Sequence, residues 1–187
     1  IRRYLEHSGY DARIEVLAGS YAQPFAWAIG GESNIRHLTR GLELLACHFP
    51  GLVVDTYAVQ EPCWTSCMPQ ILLSLGFRRA VLKNPTAWGG YARGVDAETV
   101  NWVGPDGSAI LCVPRYACEE LFECYAMESS GYHLRYHDGQ TPDMSAFVDK
   151  CHQHGIRHPS GTVLQDLGWA ARPWLREKAV RFVTWRE

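Results

Sequence analysis

The densest chemistry in the chain lies between Val53 and Asn84. An apolar run, VVDTYAV, gives way to QEPCWTSCMPQ. That loop presents a carboxylate at Glu61 beside Pro62, an indole at Trp64, thiols at Cys63 and Cys67, and hydroxyls at Thr65 and Ser66. Polar groups at the carboxyl end of a buried strand stand where α/β proteins keep their sites. Glu61 there suits a nucleophile or a metal ligand; the competing role is a carboxylate that caps the next helix. A second carboxylate, Asp166, follows Val163-Leu164 and precedes Leu167-Gly168-Trp169. A carboxyl group packed on an indole loses hydration, which raises its pKa and suits a general acid. The competing role is a turn or helix N-cap aspartate. Two carboxylates on separate strand ends, walled by aromatic rings, are the usual equipment for hydrolysing a glycosidic bond. One protonates the leaving oxygen; the other attacks or activates water.

Other candidates are weaker. Gly30-Gly31-Glu32-Ser33-Asn34-Ile35-Arg36 reads as a capped helix start, with Ser33 or Asn34 as cap and Glu32 paired to Arg36 one turn on. Glu32 is also a candidate substrate contact. Asp55 lies inside its strand and reads as a hydrogen-bonded core or sheet-edge residue. Cys151, His152, His154 and His158 are close in sequence, but no carboxylate is built into their spacing and Gly155 interrupts the helix between them.

The elements that must position these groups alternate. IEVLAGS (14–20), VVDTYAV (53–59), RRAVLKN (78–84), GTVLQDLG (161–168) and RFVTW (181–185) read as strands. A helix follows residues 30–34, with Ile35, Leu38, Leu42 and Leu45 on one face. Further helices are expected over about 66–75, 117–127, 144–155 and from Arg172 to Ala179, with Pro173 in the first turn. Residues 100–115 form a hairpin around Pro105-Asp106-Gly107. Strands separated by helices imply parallel pairing. The expected fold is α/β: a partial, seven-stranded β/α-barrel-like sheet flanked by helices, with the hairpin inserted.

The 187 residues suit a single domain, and the start at Ile1 together with a strand-like end leads us to expect a piece of a longer chain. A net charge of −2 argues against nucleic acid or an anionic membrane as partner. No apolar run approaches the ~20 residues that span a bilayer. Seven cysteines without a zinc-ribbon pair read mainly as reduced and buried, which favours a cytoplasmic setting. Aromatics reach 12%, and those on Gly- or Pro-rich loops, such as Trp88, Tyr91 and Trp169, suit stacking on sugar rings.

From Ile14 to Glu187 the chain resembles part of the catalytic domain of glycoside hydrolase family 38, the α-mannosidases. The likeness rests on Val59 to Gln70 with its Met68-Pro69-Gln70 helix start, on Gly76-Phe77, and on the hairpin Trp102-Val103-Gly104-Pro105-Asp106-Gly107-Ser108. Residues 30–36 are similar to a Gly-Glu-Ser helix start in that family. The resemblance implies a retaining glycosidase with one zinc ion, whose nucleophilic Asp also ligates the metal. Aligned without gaps from Met68-Pro69, that Asp falls on Gln60 and a family His falls on Trp64. A shift by one residue brings Glu61 to the nucleophile and metal-ligand position. Asp166 is then the acid/base. Trp64, Trp88, Tyr91, Arg115, Trp169 and Glu32 contact the sugar, and the remaining zinc ligands lie elsewhere in the parent chain. Two alternatives stay open: a non-catalytic carbohydrate-binding domain on the same fold, and a metal-dependent carbohydrate deacetylase.

Overall fold

The computed structural model describes residues 15–22, 25–59, 64–83, 94–118, 144–161, 181 and 183–186. Within them the order is α1 (Gly31–His48), β1 (Thr56–Tyr57), α2 (Met68–Ser74), β2 (Arg79–Val81), β3 (Val100–Val103), β4 (Ala109–Val113) and α3 (Met144–Gln153). The strands form one open sheet in the order β1-β2-β4-β3. β1, β2 and β4 are mutually parallel, with Thr56 opposite Arg79 and Val81 opposite Val113, and β3 returns antiparallel to β4. The expected α/β class, parallel pairing and hairpin are therefore present as a four-stranded, mostly parallel sheet with helices.

The hairpin turns where its composition dictates. Gly107 takes a positive φ of 84°, and Asp106 accepts hydrogen bonds from the Ser108 amide at 3.1 Å and its hydroxyl at 2.5 Å. The hydroxyl first, then the amide, holds the Asp106 carboxyl below its usual range. α2 begins with Pro69 in its first turn, where a missing amide costs nothing.

Several local expectations shift. Helix α1 starts at Gly31 with Gly30 as N-cap and no side-chain cap bond. Asn34 sits in the first turn instead and sends its amide to Ala26 O at 2.8 Å. Tertiary burial thus takes the side chain that sequence assigned to capping. Ile35, expected on the inner face, is exposed, whereas Leu38 and Gly41 are buried. The runs 53–59 and 78–84 shorten to two and three paired residues.

Residues 15–20 carry no regular strand. They still run beside β1, joined by the Ala18 N–H to Thr56 O bond at 3.1 Å. Ala18 then adopts φ +66° and Gly19 φ +58°, which breaks the extended ladder geometry. The described residues of the expected last strand, 181 and 183–185, are not paired into the sheet. Trp185 donates its N–H to Glu15 instead. Residues 117–118 form a turn, and the rest of the helix expected there, the 172–179 helix and residues 162–168 lie outside the described residues.

The main core gathers Leu38, Tyr57, Met68, Leu72, Phe77, Ile110 and Cys112 between α1, α2 and the sheet. The Tyr57 and Phe77 rings meet edge to face at 6.1 Å. A second cluster joins Tyr116, Cys118, Cys151 and Ile156. α1 is held by backbone contact: a Cβ on Gly41 would stand 2.0 Å from Gly19 O. The Tyr21 N–H donates to His37 O at 2.9 Å beside it. Glycine here allows the chain to cross the helix.

Gly41→Ala should cost about 2–3 kcal/mol, although alanine gains ~1 kcal/mol in helix propensity. Denaturant unfolding checks this, and an unchanged midpoint would remove the close crossing as a determinant of the fold. Stability should also fall in alkali. Burial pushes the Cys112 thiol from 9.0 up to about 12 and raises the Tyr57 phenol. Both groups stay neutral in the fold while the unfolded chain ionises. Their contribution is complete below the unfolded thiol value of 9.0 and is lost as pH rises toward 12. Urea midpoints at about pH 8 and about pH 10.5 should therefore differ, and a flat profile would contradict the burial of both groups.

Candidate functional site

Parallel pairing decides which side chains leave the sheet together. Leu82 donates its N–H to Val113 O at 2.8 Å, so Lys83 and Pro114-Arg115 emerge side by side from β2 and β4. Lys83 and Arg115 are 3% and 2% exposed, unusual for cations. The Lys83 ammonium lies 3.4 Å from the centroid of the Tyr116 ring, a cation–π contact strengthened by burial. Segment 94–96 returns beside this edge. Val95 donates to Arg115 O at 3.0 Å and accepts from the Ala117 N–H at 3.1 Å. A Cβ on Gly94 would meet Tyr116 O at 2.7 Å, so only glycine permits that approach.

Tyr116 also ties in the chain after α3. Its hydroxyl accepts the Ser160 N–H at 3.0 Å and contacts the Ser160 hydroxyl at 3.0 Å. Next to it, Glu98 accepts the amides of Arg157 and His158 at 2.8 and 2.9 Å. The His158 amide is the main cause that holds the Glu98 carboxyl below its ordinary value.

Of the residues picked out in the sequence, Arg115, Trp64 and Glu32 are described. Arg115 occupies the carboxyl edge of the sheet. Trp64 packs edge-on against Trp102 at 5.9 Å. Trp102 faces Ile110 near the start of β4, so Trp64 and Arg115 stand toward opposite ends of that strand. The Trp64 indole nitrogen is buried without a hydrogen-bond partner. Glu32 is exposed on α1 and pairs with Arg36 at 2.7 Å, as an ordinary i,i+4 bridge. Asp55 is bonded to Arg79 and Arg186, in keeping with its structural reading. Glu61, Asp166, Trp88, Tyr91 and Trp169 lie outside the described residues.

Lys83 and Tyr116 were not singled out from sequence. The available signal was a basic residue directly after an apolar strand, in AVLK as in CVPR. The aromatic loop before α1 was also passed over. Tyr21, Phe25 and Trp27 are 64%, 44% and 62% exposed. A cavity of about 20 Å³ between α1 and β1 is lined by polar Ser20, Asn34 and His37 and by apolar Leu38, Val59 and Met68, among others. The buried His37 Nδ1 has no hydrogen-bond partner in the protein.

The histidines near α3 turn to separate partners: His152 to Arg157 O, His154 to Asp96 and His158 to Glu98. Among the described residues no three His, Cys, Asp or Glu side chains converge to hold a metal. The one residue that the family resemblance assigns to zinc, Glu61, lies outside the described residues. Among them, too, no helix is long and apolar enough to cross a membrane. Comparison with protein-family models and with curated proteins returned no match.

Tyr116→Phe should cost about 1–2 kcal/mol, because the buried hydroxyl and the Ser160 amide lose each other. Hydrogen exchange at the Ser160 amide should accelerate in the variant. Unchanged protection would show that Tyr116 does not hold the 155–161 segment.

Proposed function

We propose that the chain is part of a glycoside hydrolase resembling family 38, with Glu61 as nucleophile and Asp166 as acid/base. The observation that supports this reading is the parallel arrangement of β1, β2 and β4. The chain leaves β1 toward 60–63, β2 toward 84–93 and β4 toward 115–116 from one edge of the sheet. Ligands of open α/β sheets bind outside that edge. Glu61, Trp88, Tyr91 and Arg115 follow those three strands in sequence, and this supports their choice as site residues. The hairpin at Trp102–Ser108, a motif of the resemblance, also forms as expected. In the full protein the sheet would continue into the seven-stranded, barrel-like form of that family. The exposed rings of Tyr21, Phe25 and Trp27 follow residues 15–20, which the Ala18 N–H joins to β1; such rings suit the C–H faces of sugars.

The chemistry follows from the two carboxyl groups. Protonated Asp166 donates its proton to the glycosidic oxygen as the bond to the anomeric carbon breaks. Glu61 attacks that carbon from the opposite face and forms a glycosyl ester. Ionised Asp166 then takes a proton from water, which displaces Glu61 and restores both groups. A separation of roughly 5–5.5 Å between the carboxyl groups corresponds to this double displacement; roughly 6.5–9.5 Å corresponds to inversion.

In the full-length protein, Glu61→Gln should abolish hydrolysis of an activated aryl glycoside. Asp166→Asn should slow turnover of substrates with poor leaving groups by about 10²–10⁴-fold. Unchanged turnover in Glu61→Gln would remove that residue from the mechanism. Sugar binding without turnover in the unmutated protein would favour a carbohydrate-binding domain.

A further inference from the structure

The second core cluster contains a chemical pair that the glycosidase reading does not use. The sulfurs of Cys118 and Cys151 lie 3.7 Å apart, although the residues are 33 positions apart in sequence. Cys118 is 5% exposed and Cys151 is fully buried, packed with Tyr116 and Ile156. Both are thiols. Among the described residues no other two sulfurs are in contact. The Cys112 thiol donates to Ile110 O, Cys67 lies beside the Thr65 hydroxyl, and Cys47 is exposed.

We propose that Cys118 and Cys151 form a reversible disulfide that locks α3 to the chain leaving β4. The distance already equals van der Waals contact. A bond of ~2.05 Å requires the sulfurs to close by under about 2 Å, within reach of side-chain rotation. The bridge would close the loop that spans residues 119–150, and so restrict the unfolded chain most where sequence separation is large. Its position gives it leverage. Cys118 is two residues past Tyr116, which carries Lys83 on its ring and Ser160 on its hydroxyl. Oxidation therefore clamps the packing beneath the carboxyl edge of β2 and β4.

The oxidant is a low-molecular-weight disulfide. One protein thiolate attacks it, forming a mixed disulfide and releasing one small thiol. The second protein thiolate attacks the mixed disulfide at the protein sulfur and releases the other. The two cysteines lose two electrons and two protons, and the small disulfide becomes two thiols. Burial means that the first attack waits for α3 to lift locally, so folded protein should oxidise slowly and refolding protein fast.

The test uses the whole chain, reduced, and exposed to glutathione disulfide in two arms: folded, and during refolding from denaturant. Non-reducing peptide mapping should find Cys118 joined to Cys151 in both arms, faster on refolding. The melting temperature should rise by roughly 5–10 °C and return on addition of dithiothreitol. Cys118→Ser should remove both the cross-link and the rise. The mapping on unmutated protein stands even if that variant folds poorly. Recovery of Cys118 and Cys151 as thiols, as glutathione adducts, or joined to other cysteines in both arms overturns the proposal.

Discussion

The register of the sheet depends on Asp55. Its carbonyl accepts the amides of Arg78 and Arg79 at 2.8 and 3.3 Å, which sets β2 one step from β1. Its carboxylate lies between the Arg79 guanidinium at 3.4 Å and the Arg186 Nε at 2.9 Å. Arg186 also approaches Glu15 at 3.7 Å and donates to Val53 O. These groups are largely shielded from water, with Asp55, Arg186 and Glu15 side chains 14%, 13% and 6% exposed. In that setting a charge without its partner is costly, so the cluster holds together as a unit. It brings three distant pieces of chain to the amino end of β1, and the loops at the other end inherit their origin from that register.

Two cores then divide the work. The larger one seats α1 and α2 on the sheet, with Gly41 setting how closely the 19–21 backbone passes α1. The smaller one, around Tyr116 and Cys151, joins the end of β4 to α3. Lys83 and Arg115 stand near this second core at the carboxyl edge. Lys83 is buried against the Tyr116 ring, which offers its negative face to the ammonium. The carboxyl edge of β2 and β4 thus carries two buried cations beside the second core.

Helices α1, α2 and α3 and the hairpin were readable in sequence because each has a local cause, and the alternation of strands with helices implied the parallel pairing. Pro105-Asp106-Gly107 specifies a turn through its own backbone preferences, and Pro69 specifies the start of α2. Where local rules had two outcomes, packing chose. Asn34 had the chemistry of a cap and became a buried bridge to Ala26 O. Ile35 had the period of a core residue and lies exposed, because α1 turns Asn34, Leu38 and Gly41 inward. Of the site, Arg115 was legible as a polar residue after an apolar strand, but its emergence beside Lys83 at the carboxyl edge was not.

The sequence by itself determined what short-range forces decide: helices α1, α2 and α3, the hairpin turn and the α/β class. Tertiary structure alone decided which distant groups meet: Asp55 with Arg186, Tyr116 with Ser160, and Cys118 with Cys151. The physical reason is range. Backbone preference and hydrophobic period act over a few residues, whereas a contact across 33 to 131 positions exists only after the sheet has set its register and the helices have been buried against it.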